Sequence, residues 1–276
     1  MKTTWGYRIW QIIYPIGIYY VVSSLIYFAL ELLIGTAVET YMLRQLVCAA
    51  CTIPVTLRFY QQDAVIRNTV YGKKQLKLDG AQIKNILCTL IAAAALGIAV
   101  NNIIAMTPLI SASAGFQTAN EFFFGGTVVY ELLGSCLMVP IAEELLFRGV
   151  VYQRLKGMMG TVPQAIVLSA LIFGAVHFNL VQFLYATVLG CLLAYLYEKT
   201  EYFYISVLGH IAANTIAVWR AETGALSFAY EPSVKGIGFT IVMLLIAAGA
   251  IWIFHRNFSG KTEYQFRYNF IKTRKW

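Results

Sequence analysis

Three formal charges fall within Pro140-Ile141-Ala142-Glu143-Glu144-Leu145-Leu146-Phe147-Arg148-Gly149, a stretch otherwise built of apolar residues. Thr127 to Val139 before it is mostly apolar, with Glu131 the charged exception, and Val150 to Tyr152 after it is apolar again. A bilayer disfavours each such charge; ionisable groups inside membrane helices are rare, face the bundle interior and mark functional sites. The plainer alternative is a buried ion pair that only fixes helix packing. Spacing separates the charges. On an α-helix residues advance about 100° each, so Glu144 and Arg148 share a face with the acid first, the better orientation for a pair. Glu143 lies off that face. A carboxylate in a low-dielectric cavity with no cation on its own face is expected to hold its proton more tightly, which is what a general base near neutral pH needs.

Two of the three histidines join this set. His177 closes Phe173-Gly174-Ala175-Val176-His177, and His210 opens His210-Ile211-Ala212-Ala213-Asn214, where His210 and Asn214 are four apart on one helix face. His255 ends the last apolar segment beside Arg256 and reads as interfacial. Either histidine alone could be a satisfied packing residue. Depth argues otherwise. At about 1.5 Å per residue, Glu143 lies about 16 Å from the nearer end of its segment, His177 about 21 Å, His210 about 12 Å and Asn214 about 18 Å. Three helices therefore deliver polar groups to a similar depth and build one polar cavity. A glutamate, two histidines and an asparagine suit amide hydrolysis. Glu143 would take a proton from water, His177 would orient that water, and His210 with Asn214 would donate to the oxyanion. No serine or cysteine is an obvious nucleophile, and Cys136 lies about two turns from Glu143.

The elements that must position these groups are membrane helices. The 276 residues are 59% hydrophobic and only 12% charged, with mean hydropathy +0.66, against about 25% charged in a soluble domain. The expected fold is an all-α polytopic membrane protein in one domain, residues 1–276, with the motif-bearing core at 125–221. About eight transmembrane helices are expected, at 9–34, 39–57, 83–106, 125–153, 163–179, 180–198, 202–221 and 236–255. The first is too long for a signal peptide and reads as an uncleaved span. Pro140 predicts a kink or tilt in the fourth. The fifth and sixth are divided only at His177-Phe178-Asn179-Leu180, a turn acceptable at that depth only inside protein or against a wet cavity.

The net charge of +8 follows topology, not nucleic acid. With both termini cytoplasmic, most basic residues fall inside, and Arg44, Arg220 and Lys235 fall outside. The basic cytoplasmic loop 58–82 and the basic, aromatic tail 256–276 suit anionic lipid; a disordered tail is the alternative. Cys48 and Cys51 form a C-x-x-C inside a predicted membrane helix, where they read as packing residues and not as a redox pair.

Glu143, Glu144 and Arg148 as E-E-x-x-x-R, Phe173 and His177 as F-x-x-x-H, and His210 and Asn214 as H-x-x-x-N resemble the three motifs of the CPBP (Abi) family. This is the family of type II CAAX prenyl endopeptidases and bacteriocin-processing or self-immunity proteins. The likeness covers about 125–221. It implies an α-helical intramembrane glutamate endopeptidase in a cell membrane. Glu143 would activate water, His177 would assist, His210 and Asn214 would form the oxyanion site, and Glu144 and Arg148 would support. The substrate it implies is a peptide or membrane-protein terminus: a possibly prenylated C-terminal peptide, a pheromone or a bacteriocin precursor. No cofactor is expected. Two rivals stay open here. Glu143, His177 and His210 could hold zinc with a fourth position free, although no H-E-x-x-H is present. A non-catalytic immunity or scaffold protein, or a small transporter, could use the same cavity for binding, although no inverted repeat is visible.

Overall fold

A computed structural model describes residues 4–71 and 79–257. No strand occurs among them, and the protein is a helical, multi-pass membrane protein. Helix α1 (Trp5–Ile34) begins at Thr4, whose hydroxyl accepts from the Tyr7 amide, and ends at Gly35 with φ 83°, the left-handed conformation that glycine adopts without penalty. Helix α2 (Tyr41–Tyr71) packs against it. Helix α3 (Gly80–Ala105) is capped by Asp79, whose carboxylate accepts from the Gln82 amide at 2.9 Å. Then follow α4 (Ala114–Phe123), α5 (Val128–Met158), α6 (Val162–Ala175), α7 (Leu180–Thr200), α8 (Phe203–Thr223) and α9 (Val234–Arg256).

All eight expected apolar segments are helical. Five of these helices, α1, α2, α3, α7 and α9, are each long and apolar enough to cross a membrane; α4 and α5 add a sixth if counted as one bent span. At about 1.5 Å per residue, the 14-residue α6 is about 21 Å long, short of a hydrocarbon core of about 30 Å. Residues 58–71, expected in the basic loop 58–82, continue α2 instead. Asp63 is buried there and makes that stretch a packing surface. Residues 72–78 of that loop and 258–276 of the expected tail lie outside the described residues.

Helix α5 is the axis of the bundle. It packs against α2 on one side and α8 on another, while α6 and α7 pair with each other and close on its second half; α8 in turn packs on α3, and α3 on α9. Two ion pairs, one buried and one half-buried, lock α5 in place. Arg154 Nε donates to Asp63 Oδ2 at 2.8 Å and Arg154 Nη1 to the Gln11 carbonyl at 2.7 Å, tying α5 to α2 and α1. Lys156 and the Tyr152 hydroxyl both donate to Glu198 on α7, the latter at 2.7 Å. The α6–α7 pair is close because two glycines allow it. A Cβ on Gly174 would come 2.2 Å from Thr187 Oγ1 and 2.7 Å from the Phe183 carbonyl, and one on Gly190 would come 3.2 Å from Ala170.

The 112° bend of the α4–α5 pair falls across Phe124–Thr127, ahead of the position where Pro140 predicts one. At Pro140 the helix changes its winding. Wider π-helical turns over Leu132–Met138 and Leu145–Tyr152 flank an α-helical Val139–Glu144. Proline has no N–H to give, and its ring collides with the carbonyl four residues back, here Cys136; a wider turn relieves that collision. Such π turns accompany functional sites, and these bracket Glu143 and Glu144.

Candidate active site

Glu144 is fully buried and anchors two helices. Arg148 Nη1 lies 3.0 Å from Glu144 Oε1, as their spacing requires, and His210 Nδ1 on α8 lies 2.9 Å from the same oxygen. Because a carboxylate paired with a guanidinium can only accept, the proton of that bond sits on His210 Nδ1. The other ring nitrogen, Nε2, faces Glu143 Oε2 at 3.8 Å. A chain thus runs Arg148–Glu144–His210–Glu143. With an imidazolium its formal charges cancel; with a neutral imidazole and an ionised Glu143 one negative charge is left over.

Arg148 is held from three directions. It pairs with Glu144, its Nη2 donates to the Gly190 carbonyl of α7 at 3.3 Å, and its guanidinium lies 4.4 Å over the Phe173 ring. Phe173 on α6 is the hub of the aromatic contacts. His177 stands edge-on to it at 5.3 Å, His210 edge-on at 5.8 Å, and Phe147 tilts against it at 5.0 Å. The quadrupole of one ring therefore serves a cation on its face and rings at its periphery.

His177 lies in the turn after α6. Its Nδ1 is 2.9 Å from the Phe173 carbonyl. A carbonyl only accepts, so Nδ1 carries the proton and Nε2 of the neutral ring is an acceptor. The next residue, Phe178, has φ 57° and is exposed. A non-glycine residue in this region is strained, and such strain gathers at functional sites. Asn179 then caps α7, accepting from the Gln182 amide at 2.9 Å and donating to the His177 carbonyl at 3.1 Å. The turn between the fifth and sixth segments is therefore satisfied by its own side chains.

Asn214 is on α8, one turn beyond His210. Its Nδ2 donates to the Ser135 carbonyl at 2.8 Å, in the first π turn of α5, and Ser135 Oγ donates to the Glu131 carbonyl at 2.7 Å. One N–H of the amide is thus spent on orientation and one is left. Glu143 is only partly buried, unlike Glu144 and His210. The partly exposed carboxylate of Glu143 is backed by the buried Arg148–Glu144–His210 chain.

Of the seven sequence-predicted residues, Glu143, Glu144, Arg148, Phe173 and His210 form one cluster, His177 joins it through Phe173, and Asn214 lies one turn beyond His210 with its amide on the Ser135 carbonyl. The trio considered for zinc, Glu143, His177 and His210, does not converge; among the described residues no three His, Cys, Asp or Glu side chains form a group that could hold a metal ion. Cys136 is buried 3.7 Å from Ser135 Oγ, and Cys48 and Cys51 are free thiols. Glu131 is buried outside the cluster. Sequence reasoning missed the carbonyls of Ser135 and Gly190 and the packing of Phe147. Backbone acceptors carry no residue-type signal, so only coordinates reveal them.

Residues 125–216 match the family model described as type II CAAX prenyl endopeptidase Rce1-like. The motif-bearing third of the chain is CAAX-endopeptidase-like. All seven sequence-predicted residues lie in that segment. The Bacillus subtilis (strain 168) protein named "Putative membrane peptidase YdiL" is 30% identical over 87 residues, 32% of this chain and 35% of that protein. The likeness thus spans about a third of that relative. No solved structure matches. Helices α1, α2, α3 and α9 fall outside the endopeptidase-like segment, yet α1 and α2 pack against α5, and α3, itself backed by α9, packs against α8.

Proposed function

We propose that this protein is an intramembrane endopeptidase that hydrolyses a peptide bond with water activated by Glu143. The observation that carries the reading is the 3.8 Å approach of His210 Nε2 to Glu143 Oε2, with the far side of His210 fixed on Glu144. A structural ion pair would need only Glu144 and Arg148. The additional, accessible carboxylate facing the histidine is unexplained by packing.

In this reaction Glu143 takes a proton from water while the water oxygen adds to the scissile carbonyl carbon. The C=O π pair becomes an oxyanion, to which the remaining Asn214 N–H donates. His210 donates there from Nε2 only as an imidazolium, since its other proton is on Nδ1. The neutral His177 accepts at Nε2 from the attacking water and so orients it. Collapse of the oxyanion breaks the C–N bond, and the proton held on Glu143 passes to the leaving amine. The products are a carboxylic acid, whose remaining water-derived proton is then lost to solvent, and an amine, with no group left on the enzyme.

The substrate class we infer is the terminus of a peptide or membrane protein: a C-terminal peptide, prenylated or not, a pheromone or a bacteriocin precursor. Orientation with both termini cytoplasmic, eight crossings, and anionic lipid at the basic segments belong to the same proposal. The test is cleavage of a peptide library by purified protein in detergent, wild type against Glu143→Gln, with and without chelator. Cleavage by wild type alone, insensitive to chelator, supports the reading. Cleavage by neither folded protein overturns it and favours a binding role for the cavity.

A further inference from the structure

Helices α3 and α9 run antiparallel and are tied by an asparagine at each end. Asn102 Nδ2 donates to Thr240 Oγ1 at 3.0 Å near the end of α3, and Asn257 Nδ2 donates to Asn85 Oδ1 at 2.7 Å near its start. Asn85 is buried and its own amide donates to Gln82 Oε1, so the end of α9 is held on α3 by a polar chain. At this second junction the helices leave an open pocket of about 340 Å³, lined by Lys84, Trp252, Ile253, Arg256 and Asn257. The Arg256 guanidinium lies 4.8 Å over the Trp252 ring. No acidic residue lines the pocket. Arg148, Arg154 and Lys156 each have a carboxylate partner, whereas among the described residues Lys84 and Arg256 have none. Two positive charges thus meet at one pocket with no negative charge of the protein's own beside them.

The surface below the pocket decides the kind of anion. Leu87 and Ile91 stand three and seven residues on from Lys84, on the same face of α3, and both are exposed. Leu245 stands seven residues before Trp252 on the same face of α9 and is exposed as well, and Gly249 between them borders open space. On a membrane span, exposed apolar side chains meet acyl chains. The pocket therefore has cations at its rim and a lipid-facing apolar seam beneath, with Trp252 where a span ends, the level at which tryptophan gathers in membrane proteins. A soluble phosphate would use the rim alone. An amphiphile with an anionic head uses the rim and the seam together. Lysine and arginine near a membrane surface attract anionic lipid, and phosphate oxygens accept strongly from charged N–H groups.

We propose that the pocket between α3 and α9 binds the phosphate head of an anionic glycerophospholipid. Arg256 and Lys84 donate to the phosphate, Trp252 holds Arg256 in place, and the acyl chains follow the seam. This rests on the reading of the basic segments as facing anionic lipid and narrows it to one site; peptide cleavage does not enter it. The test is native mass spectrometry of the purified full-length protein in detergent, with dioctanoyl phosphatidylglycerol, dioctanoyl phosphatidylcholine and inorganic phosphate as probes. Wild type retains phosphatidylglycerol saturably, holds phosphatidylcholine more weakly because that head carries its own cation, and does not release the lipid to equimolar inorganic phosphate. Lys84→Gln and Arg256→Gln each weaken phosphatidylglycerol binding about 5-fold. Arg58→Gln, which removes one charge from α2, leaves it unchanged. All three side chains are exposed, so the unfolding midpoint without lipid stays at the wild-type value. Wild-type binding in Lys84→Gln and Arg256→Gln, or an equal loss in Arg58→Gln, overturns the pocket and leaves a diffuse attraction to anionic lipid standing. Equal retention of phosphatidylcholine overturns both, and displacement by inorganic phosphate overturns the assignment to lipid.

Discussion

Glu144 Oε1 accepts from His210 Nδ1 at 2.9 Å while lying 3.0 Å from Arg148 Nη1, so one oxygen atom joins α5 to α8. The motif's second glutamate is thereby the structural centre of the site, and the first is left partly exposed beside His210.

Glu144→Gln leaves Arg148 buried without its anion and His210 without its acceptor. Removing one partner of a buried pair costs about 3–5 kcal/mol. A large drop in the thermal unfolding midpoint in detergent is expected, together with loss of cleavage. Glu143→Gln, at a partly exposed position, should abolish cleavage and leave the midpoint nearly unchanged. Equal midpoints for the two variants would contradict the division of labour.

Arg148→Lys is not conservative here. A lysine can keep one ionic contact but not the fork to Gly190 together with the flat stacking on Phe173. We expect destabilisation of about 1–3 kcal/mol, the cost of leaving a buried acceptor unsatisfied, read in the same unfolding assay. Unchanged stability would show that the stacking and the Gly190 contact carry little energy.

Asn214→Ala removes the proposed oxyanion donor and frees the Ser135 carbonyl. By analogy with loss of one oxyanion donor, kcat should fall about 10²- to 10³-fold with KM little altered. A rise in KM at constant kcat would assign Asn214 to substrate binding instead.

Gly174→Ala tests the α6–α7 contact that sets Phe173 and His177. The added methyl meets a backbone carbonyl at 2.7 Å as well as a side chain, so the helices must separate. Overpacking of this kind costs about 1–3 kcal/mol. Lower stability and weaker cleavage are expected, whereas Gly238→Ala, in open space on α9, should change neither.

Much of this site was legible from residue spacing. Pairs four apart on one helix, Glu144 with Arg148 and His210 with Asn214, follow from helical geometry alone. The clustering of three helices at one depth follows from hydropathy and rise per residue. The eight apolar segments were also legible, because burial in lipid demands long apolar runs with internally satisfied backbones. Where polar residues are themselves packing surfaces, that reading failed: Asp63 and its neighbours extend α2 because Asp63 meets Arg154 from 91 positions away.

The partner of His210 was decided only by the tertiary structure. Sequence placed its imidazole with Asn214 at the oxyanion; the fold turns Nδ1 onto Glu144 and aims Asn214 at the Ser135 carbonyl. Both contacts depend on how α8 is rotated against α5, and that rotation depends on π turns which residue periodicity cannot reveal. Spacing along one helix is set by covalent geometry and can be read from the chain. Contacts between helices are set by the packing of every side chain at the interface, and only the folded molecule holds that information.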